Sequence, residues 1–368
     1  MARKKLPLYF KYTIPILLAV FIFLCSRIPT LAEWYMQNVY PPIATMLSFF
    51  SRLVPFSLLD IPLIAVIILF PASIVLMCMR KLRFRRWLKI VSLTIVWTVI
   101  WFYMAWGISY FRPDFHERFG IERQEVDREF FEAFVEHYIE RLNRAYVANP
   151  HFDAQEIDAE IEVLFARYHE KLRLPFPNGW RRTKRTLTEP LMNRVGVLGY
   201  FNPWFNEIQL NHRAPILNYP YTLAHEKAHQ FGIAHEDECN LIATIITTAS
   251  THPLVRYSGY LQTVRYLLAD LRTVSPFRYR EIVAQIDPRV MADFRAMQAH
   301  WQESINPTLS AMQTRIYDIY LRANQQESGI LSYSEMTTLL LSWEIVKRGF
   351  TVPASPLKGN TNCTNYTN

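Results

Sequence analysis

The sequence predicts an α+β protein, mostly helical, in which three membrane-spanning helices precede one globular domain with a small sheet. Three observations carry this. Long apolar stretches are confined to the first 111 of 368 residues. After them, apolar side chains recur at helical spacing through most of the chain. One stretch, residues 185–211, instead breaks into short apolar runs punctuated by Gly and Pro, the pattern of short strands.

The apolar stretches come first. Residues 61–79 and 90–111 carry no charge, and each is long enough for a hydrocarbon core, which takes about 20 residues at helical rise. A third stretch, Tyr12–Ser26, is shorter, but Lys11 and Arg27 flank it and can snorkel. Spans are therefore expected at 12–26, 61–79 and 90–111. A cleavable signal peptide is the competing reading of the first. Two further spans and the lack of a clean small-x-small site count against it. The start, MARKK, and the loop RKLRFRRWLK (80–89) are basic, whereas 28–56 is not. The positive-inside rule then puts the N-terminus in the cytoplasm and everything past Arg112 outside it, periplasmic or extracellular.

The formal net charge of +8 does not indicate nucleic acid. Residues 1–111 hold 12 Lys+Arg against Glu33 and Asp60, while 112–368 hold 28 against 30 Asp+Glu. The basic excess belongs to the anchor, and the globular part has none to offer phosphates. The four cysteines, Cys25, Cys78, Cys239 and Cys363, form neither a disulfide framework nor a Cys-x-x-Cys zinc pattern.

In the domain expected at 112–352, residues 125–147 and 153–172 show amphipathic helical spacing. RTLTEPL, VGVLGYF and NEIQLN read as short strands. Beyond Pro215 helices are expected at roughly 218–231, 236–250, 255–273, 286–303, 307–324 and 332–348. The tail 353–368 is polar, has formal sequons at Asn362 and Asn365, and is expected to be disordered.

Residues 221–240, YTLAHEKAHQFGIAHEDECN, contain His225-Glu226-x-x-His229. Positions four apart share a helix face, so both imidazoles reach one metal ion. A metal lowers the pKa of bound water, and the intervening Glu226 takes its proton, which is the chemistry of amide hydrolysis. A chance match arises in about one such chain in a hundred, so the surroundings must decide. Two readings supply the third ligand. His225-Glu226-x-x-His229-x-x-Gly232-x-x-His235 formally fits a metzincin, with His235 on the metal. Alternatively, Glu236 and Asn240 open the next helix four apart, as in gluzincins, with Glu236 on the metal and Asn240 hydrogen-bonding a ligand histidine. The long helix that follows lacks a metzincin's loop and Met-turn, which favours Glu236. Glu238 is a weaker option, more than half a turn out of phase.

LGYFNPWFNEIQLN (198–211) followed by HEKAHQFGIAHEDECNLIA (225–243) resembles the bacterial domain-of-unknown-function family numbered 3810, of Bacteroidetes type. Its pattern resembles Gly-x-Tyr-x-Pro-Phe-x-x-Glu-x-x-x-Asn, then His-Glu-x-x-His-Gln-x-Gly, then Glu-Asp-Glu-Ala-Asn. These fall on Gly199 to Asn211, His225 to Gly232 and Glu236 to Asn240, with Phe201, Trp204 and Cys239 as departures. RYSGYLQTVRYLL (256–268) and YLRANQQESGILSYSEM (320–336) are also similar. The resemblance implies a three-span membrane protein of a bacterial inner membrane, carrying a zincin-like, gluzincin-type domain. It also implies Glu236 rather than His235 as third ligand, and it implies no substrate.

Other candidates are weighed against bland readings. Glu207 precedes the motif on a strand segment that, in a zincin, aligns an extended peptide; an ordinary strand-end carboxylate is as good a reading. Tyr257, Tyr260 and Tyr333 are candidate oxyanion donors among 20 tyrosines. His212, His252 and His300 have no partner at metal spacing and are expected in surface or core roles. The sequence thus points to a membrane-anchored, Zn²⁺-dependent metallopeptidase acting on peptide or protein substrates, with the lipid bilayer as its other partner. The alternative is a catalytically silent zincin-fold binding or scaffold module.

Overall fold

A computed structural model describes residues 8–177, 182–324 and 335–351. Tyr333 and the tail 353–368 lie outside these. Helix α1 (Leu8–Arg27) bends by 115° into α2 (Pro29–Asn38), and α3 (Tyr40–Ser51) follows. Pro29 opens α2 where a missing N–H leaves no bond unmade. Helices α4 (Asp60–Cys78) and α5 (Phe84–Ala105) then form a hairpin, tied by Trp87 Nε1 donating to Ser73 Oγ at 2.9 Å. Most of their side chains are apolar and exposed, which suits hydrocarbon as solvent.

By length and composition α4 and α5 each suffice to cross a membrane, and α1 does so only if counted with α2 as one broken span. The last span also differs from the expected 90–111. The helix ends at Ala105, where Trp106 leaves helical geometry (φ −168°), and residues 107–111 form a short 3-10 turn. Trp106, Ile108, Tyr110 and Phe111 are buried against protein. An uncharged run bound for a protein core and one bound for lipid look alike in sequence.

The remaining elements are α6 (Phe115–Phe119), α7 (Arg128–Ala145), α8 (Ala154–Tyr168), β1 (Thr183–Lys184), α9 (Glu189–Val195), β2 (Gly199–Asn202) and β3 (Glu207–Leu210). Then come α10 (Tyr219–Gln230), α11 (Glu236–Thr248), α12 (Pro253–Val274), α13 (Pro276–Val283), α14 (Pro288–Ser304), α15 (Pro307–Ala323) and α16 (Met336–Arg348). Four elements depart from expectation. Helix α6 falls where no element is expected, and β1 lies just before the stretch 185–211 that reads as strands. Part of the strand read at RTLTEPL is α9, started by Pro190 and stopped by Gly196 at φ +78°. Helix α13 is short and begins at its own Pro276, so it breaks what reads as a loop.

The sheet has order β1-β3-β2, with β1 parallel and β2 antiparallel to β3. Phe201 pairs with Ile208 and Asn202 with Glu207. Helix α10 lies between this sheet and the pair α11–α12, with α8 alongside. The main core joins Phe134 and Leu142 of α7, Ile157 and Phe165 of α8, Leu241 and Ile245 of α11, Leu261 of α12 and Trp343 of α16. A second cluster joins Tyr35, Met36 and Tyr40 to Phe102, Trp106 and Ala234. The chain on either side of residue 112 is therefore packed together. Tyr40 Oη donates to Gln230 O at 2.7 Å, and Arg112 bonds Glu33 at 2.6 Å and Gly232 O at 2.8 Å.

Candidate metal centre

Helix α10 is buried on nearly every face, so each polar side chain on it needs a partner. Lys227 Nζ is ion-paired with Asp158 at 2.8 Å and with Glu162, both on α8. Burial works against its charge, but the two carboxylates more than offset this and hold the ammonium. Gln230 Nε2 donates to Asn206 O at 2.7 Å. His225, Glu226 and His229, with Tyr221 and Thr222, line a cleft of about 650 Å³.

Gly232 ends the helix and reverses the chain at φ +92°. A Cβ there would lie 2.8 Å from Met36 Cε, so only glycine fits the backbone angle and the space. His235 is then the residue before α11, whose first turn carries Glu236, Asp237 and Glu238, a charge the helix N-terminus favours. The turn brings Glu236 back over the two histidines. Its Oε2 is 3.0 Å from His225 Nε2, and its Oε1 is 3.6 Å from His229 Nε2. One ligand atom from each of His225, His229 and Glu236 lies within 4.8 Å of the others.

The other ring nitrogens are fixed. His229 Nδ1 lies 2.8 Å from Ile233 O, and since a carbonyl only accepts, Nδ1 carries the proton. His225 Nδ1 donates to Asn240 Oδ1 at 2.9 Å, and Tyr266 Oη donates to the same oxygen at 3.2 Å. Both Nε2 atoms thus face one carboxylate, and two lone pairs and a carboxylate this close repel unless a proton or a cation sits between them. Burial would raise the Glu236 pKa, but His229 and His225 hold it well below the usual carboxylate range. Tyr317 Oη donates to Glu236 Oε1. Cys239 Sγ lies 3.3 Å from His229 Nδ1, and burial pushes its thiol up to about 12, so it stays neutral.

Glu226 is buried in the cleft wall beside these groups and accepts a hydrogen bond from the Phe201 N–H of β2. Burial raises its pKa above the ordinary carboxylate value, partly countered by the two histidines.

The structure brings His225, Glu226, His229, Glu236 and Asn240 together. It does not bring His235, which lies outside the cluster of converging ligand atoms and feels the charges of Glu238, Arg118, Arg112 and Asp114 instead. Glu238 is paired with Arg118. The substrate-strand reading of Glu207 is overturned, because β3 is the middle strand and both its edges are paired. Its fully buried carboxylate accepts Ser51 Oγ at 2.7 Å and Leu58 N at 3.0 Å, and so fastens the sheet to the chain before α4. The strand along the cleft is β2, which among the described residues pairs only with β3.

Tyr257 bonds Asp293 at 2.5 Å, and Tyr260 faces Arg141; neither lines the cleft. His212 contacts Leu210 O, His252 accepts Val255 N at the start of α12, and His300 sits by Ser304. Sequence reasoning missed Arg265, Tyr266, Tyr317 and Tyr320, which do line the cleft. A signal existed: Gln262, Arg265 and Tyr266 share one face of α12, and Gln313, Tyr317 and Tyr320 one face of α15. Trp106 and Tyr110, which read as interfacial aromatics, also line it.

The sequence model of a family described as proteins of unknown function, DUF3810, matches residues 35–341, and the chain belongs to that family. No curated protein and no solved structure matches the chain.

Proposed function

We propose that the chain is a membrane-anchored zinc metallopeptidase with a zincin-like, gluzincin-type site, hydrolysing peptide bonds outside the cytoplasm. The observation that carries this is the convergence of His225 Nε2, His229 Nε2 and a Glu236 oxygen, with Glu226 beside them in the cleft wall. Two imidazoles and a carboxylate are a donor set that zinc takes in peptidases, with one position left open. When bound, zinc supplies Lewis acidity and makes water a nucleophile near neutral pH.

The protein's own groups do the rest. Asn240 and Ile233 O hold the two rings in the tautomer that presents Nε2. Glu226 accepts the proton of the attacking water and passes it to the leaving amine. Its raised pKa suits a group that must both take and give a proton. Arg265 and the cleft tyrosines offer donors to the charge that develops on the carbonyl oxygen. The outer edge of β2 offers main-chain groups to an extended substrate.

The test is hydrolysis of a fluorogenic peptide library by the full chain in detergent micelles. Glu226→Gln is expected to lower turnover by about 10²-fold or more while zinc stays bound. The second reading, a zincin-fold binding module without turnover, draws on the burial of Glu226. Zinc-loaded protein that hydrolyses no peptide, with parent and Glu226→Gln alike, would decide for it.

A further inference from the structure

We propose that the polypeptide taken by this cleft is itself anchored in the bilayer and is cut in the stretch that emerges from it. This rests on the peptidase reading above and on α4 and α5 crossing the membrane. As two consecutive spans joined through residues 79–83 they return to one side, so Asp60 and Ala105 mark the same membrane surface.

Each of these two ends holds a wall of the cleft. The Asp60 carboxylate accepts Thr186 Oγ1 at 2.9 Å and Leu187 N at 3.0 Å, and the chain runs on directly into Thr188 and Leu191 of the cleft wall. Immediately after Ala105, Trp106 lines the cleft and donates Nε1 to His229 O at 2.8 Å. A metal-ligating histidine is thus one side chain away from the end of a span.

The strand that would hold substrate leads toward the bilayer. Beyond β2, Trp204 Nε1 donates to Thr98 O at 3.4 Å, and Trp101 Nε1 donates to Trp204 O at 3.1 Å. Thr98 precedes the helix end at Ala105 by two turns, about 10 Å of helix. The tip of the β2–β3 hairpin therefore sits beside the outermost turns of the span, at the depth where tryptophan prefers to lie. A chain extended along β2 runs from the metal centre to that depth. The flanking surfaces are apolar as well. Leu187 and Leu191 are 67% and 53% exposed, and Ile316 and Ile319, on the helix that contributes Tyr317 and Tyr320, are 57% and 60% exposed. Exposed apolar side chains beside the cleft suit a surface resting on lipid headgroups.

The reaction is hydrolysis of one amide. The C–N bond breaks, water oxygen forms the new carboxylate, and the proton held by Glu226 goes to the amine.

The experiment uses the full chain in phosphatidylcholine–phosphatidylglycerol vesicles and one peptide cleaved in the library assay, presented three ways. It is given free, fused about 5 residues from an apolar transmembrane anchor, and fused about 40 residues from the same anchor; the spacers reach roughly 17 Å and well beyond 100 Å when extended. Tethering alone raises effective concentration for both fusions. A cleft on the membrane surface predicts that the short fusion is cut at least about ten-fold faster than the long one. A short fusion that resists or is cut no faster than the long one, while Glu226-dependent cutting of the long fusion or the free peptide persists, overturns this inference and leaves the peptidase reading standing. A library in which the full chain cuts no peptide overturns both.

Discussion

Asn240 shows what a single residue contributes to this centre. Its Oδ1 receives the His225 Nδ1–H and the Tyr266 hydroxyl, so it sets a ring rather than touching a metal. Asn240→Ala is expected to weaken zinc binding about 10- to 100-fold without abolishing it, measured by chelator competition. Proton competition gives a second prediction. Burial disfavours charge on His229, but its contact with the Cys239 sulfur and above all the Glu236 carboxylate outweigh it and raise the imidazole pKa well above its ordinary value. That proton must leave before the ring ligates, so zinc affinity falls as pH falls, and the decline begins above the ordinary imidazole range. Competition titrations between about pH 9 and about pH 6 check this, and a flat profile would contradict it. At this scale much was legible. The i, i+4 histidines follow from helical spacing, and Glu236 with Asn240 is favoured over His235 because the following helix leaves no room for a metzincin's loop and Met-turn. Arg265 and Tyr317 carry only the weaker signal of a shared polar face on α12 and on α15, and spacing alone does not say that this face meets the cleft.

Helix α11 is placed by a close approach to α12. A Cβ on Gly259 would fall 2.3 Å from Thr247 Oγ1 and 3.0 Å from Thr248 N. Gly259→Ala should cost about 2 kcal/mol by overpacking and lower zinc affinity by shifting Glu236, read by thermal melts and chelator competition. Glu207 fastens another element. Glu207→Ala leaves Ser51 Oγ, Ser57 Oγ and Leu58 N of the inter-span segment without their acceptor. A loss of about 3 kcal/mol is expected, seen as a lower melting temperature in micelles. The long helices of the domain were legible because their apolar period is long and most of their ends carry Pro, Asp or Gly. The sheet was harder: strands of two and four residues show little alternation, and the middle position of β3 is set by pairings far apart in sequence. Glu207 looked like a substrate-facing group for that reason.

The anchor is part of the folded site and not merely a tether. Trp106 supports His229, Tyr40 supports Gln230, and Met36 with Tyr40 covers Gly232. A fragment of residues 112–368 is therefore expected to aggregate or lose its metal, by size-exclusion chromatography and metal analysis, where the full chain stays monodisperse and loaded. The sequence could not reveal this, since apolar residues destined for lipid and for protein carry the same signal. The central claim is that His225, His229 and Glu236 hold zinc. It is tested most directly by metal content of the full chain in micelles, beside His229→Ala, Glu236→Ala and His235→Ala. One equivalent of zinc in the parent and in His235→Ala, with little in the other two, is the expected result. A well-folded parent without zinc, or zinc kept in Glu236→Ala and lost in His235→Ala, would contradict it.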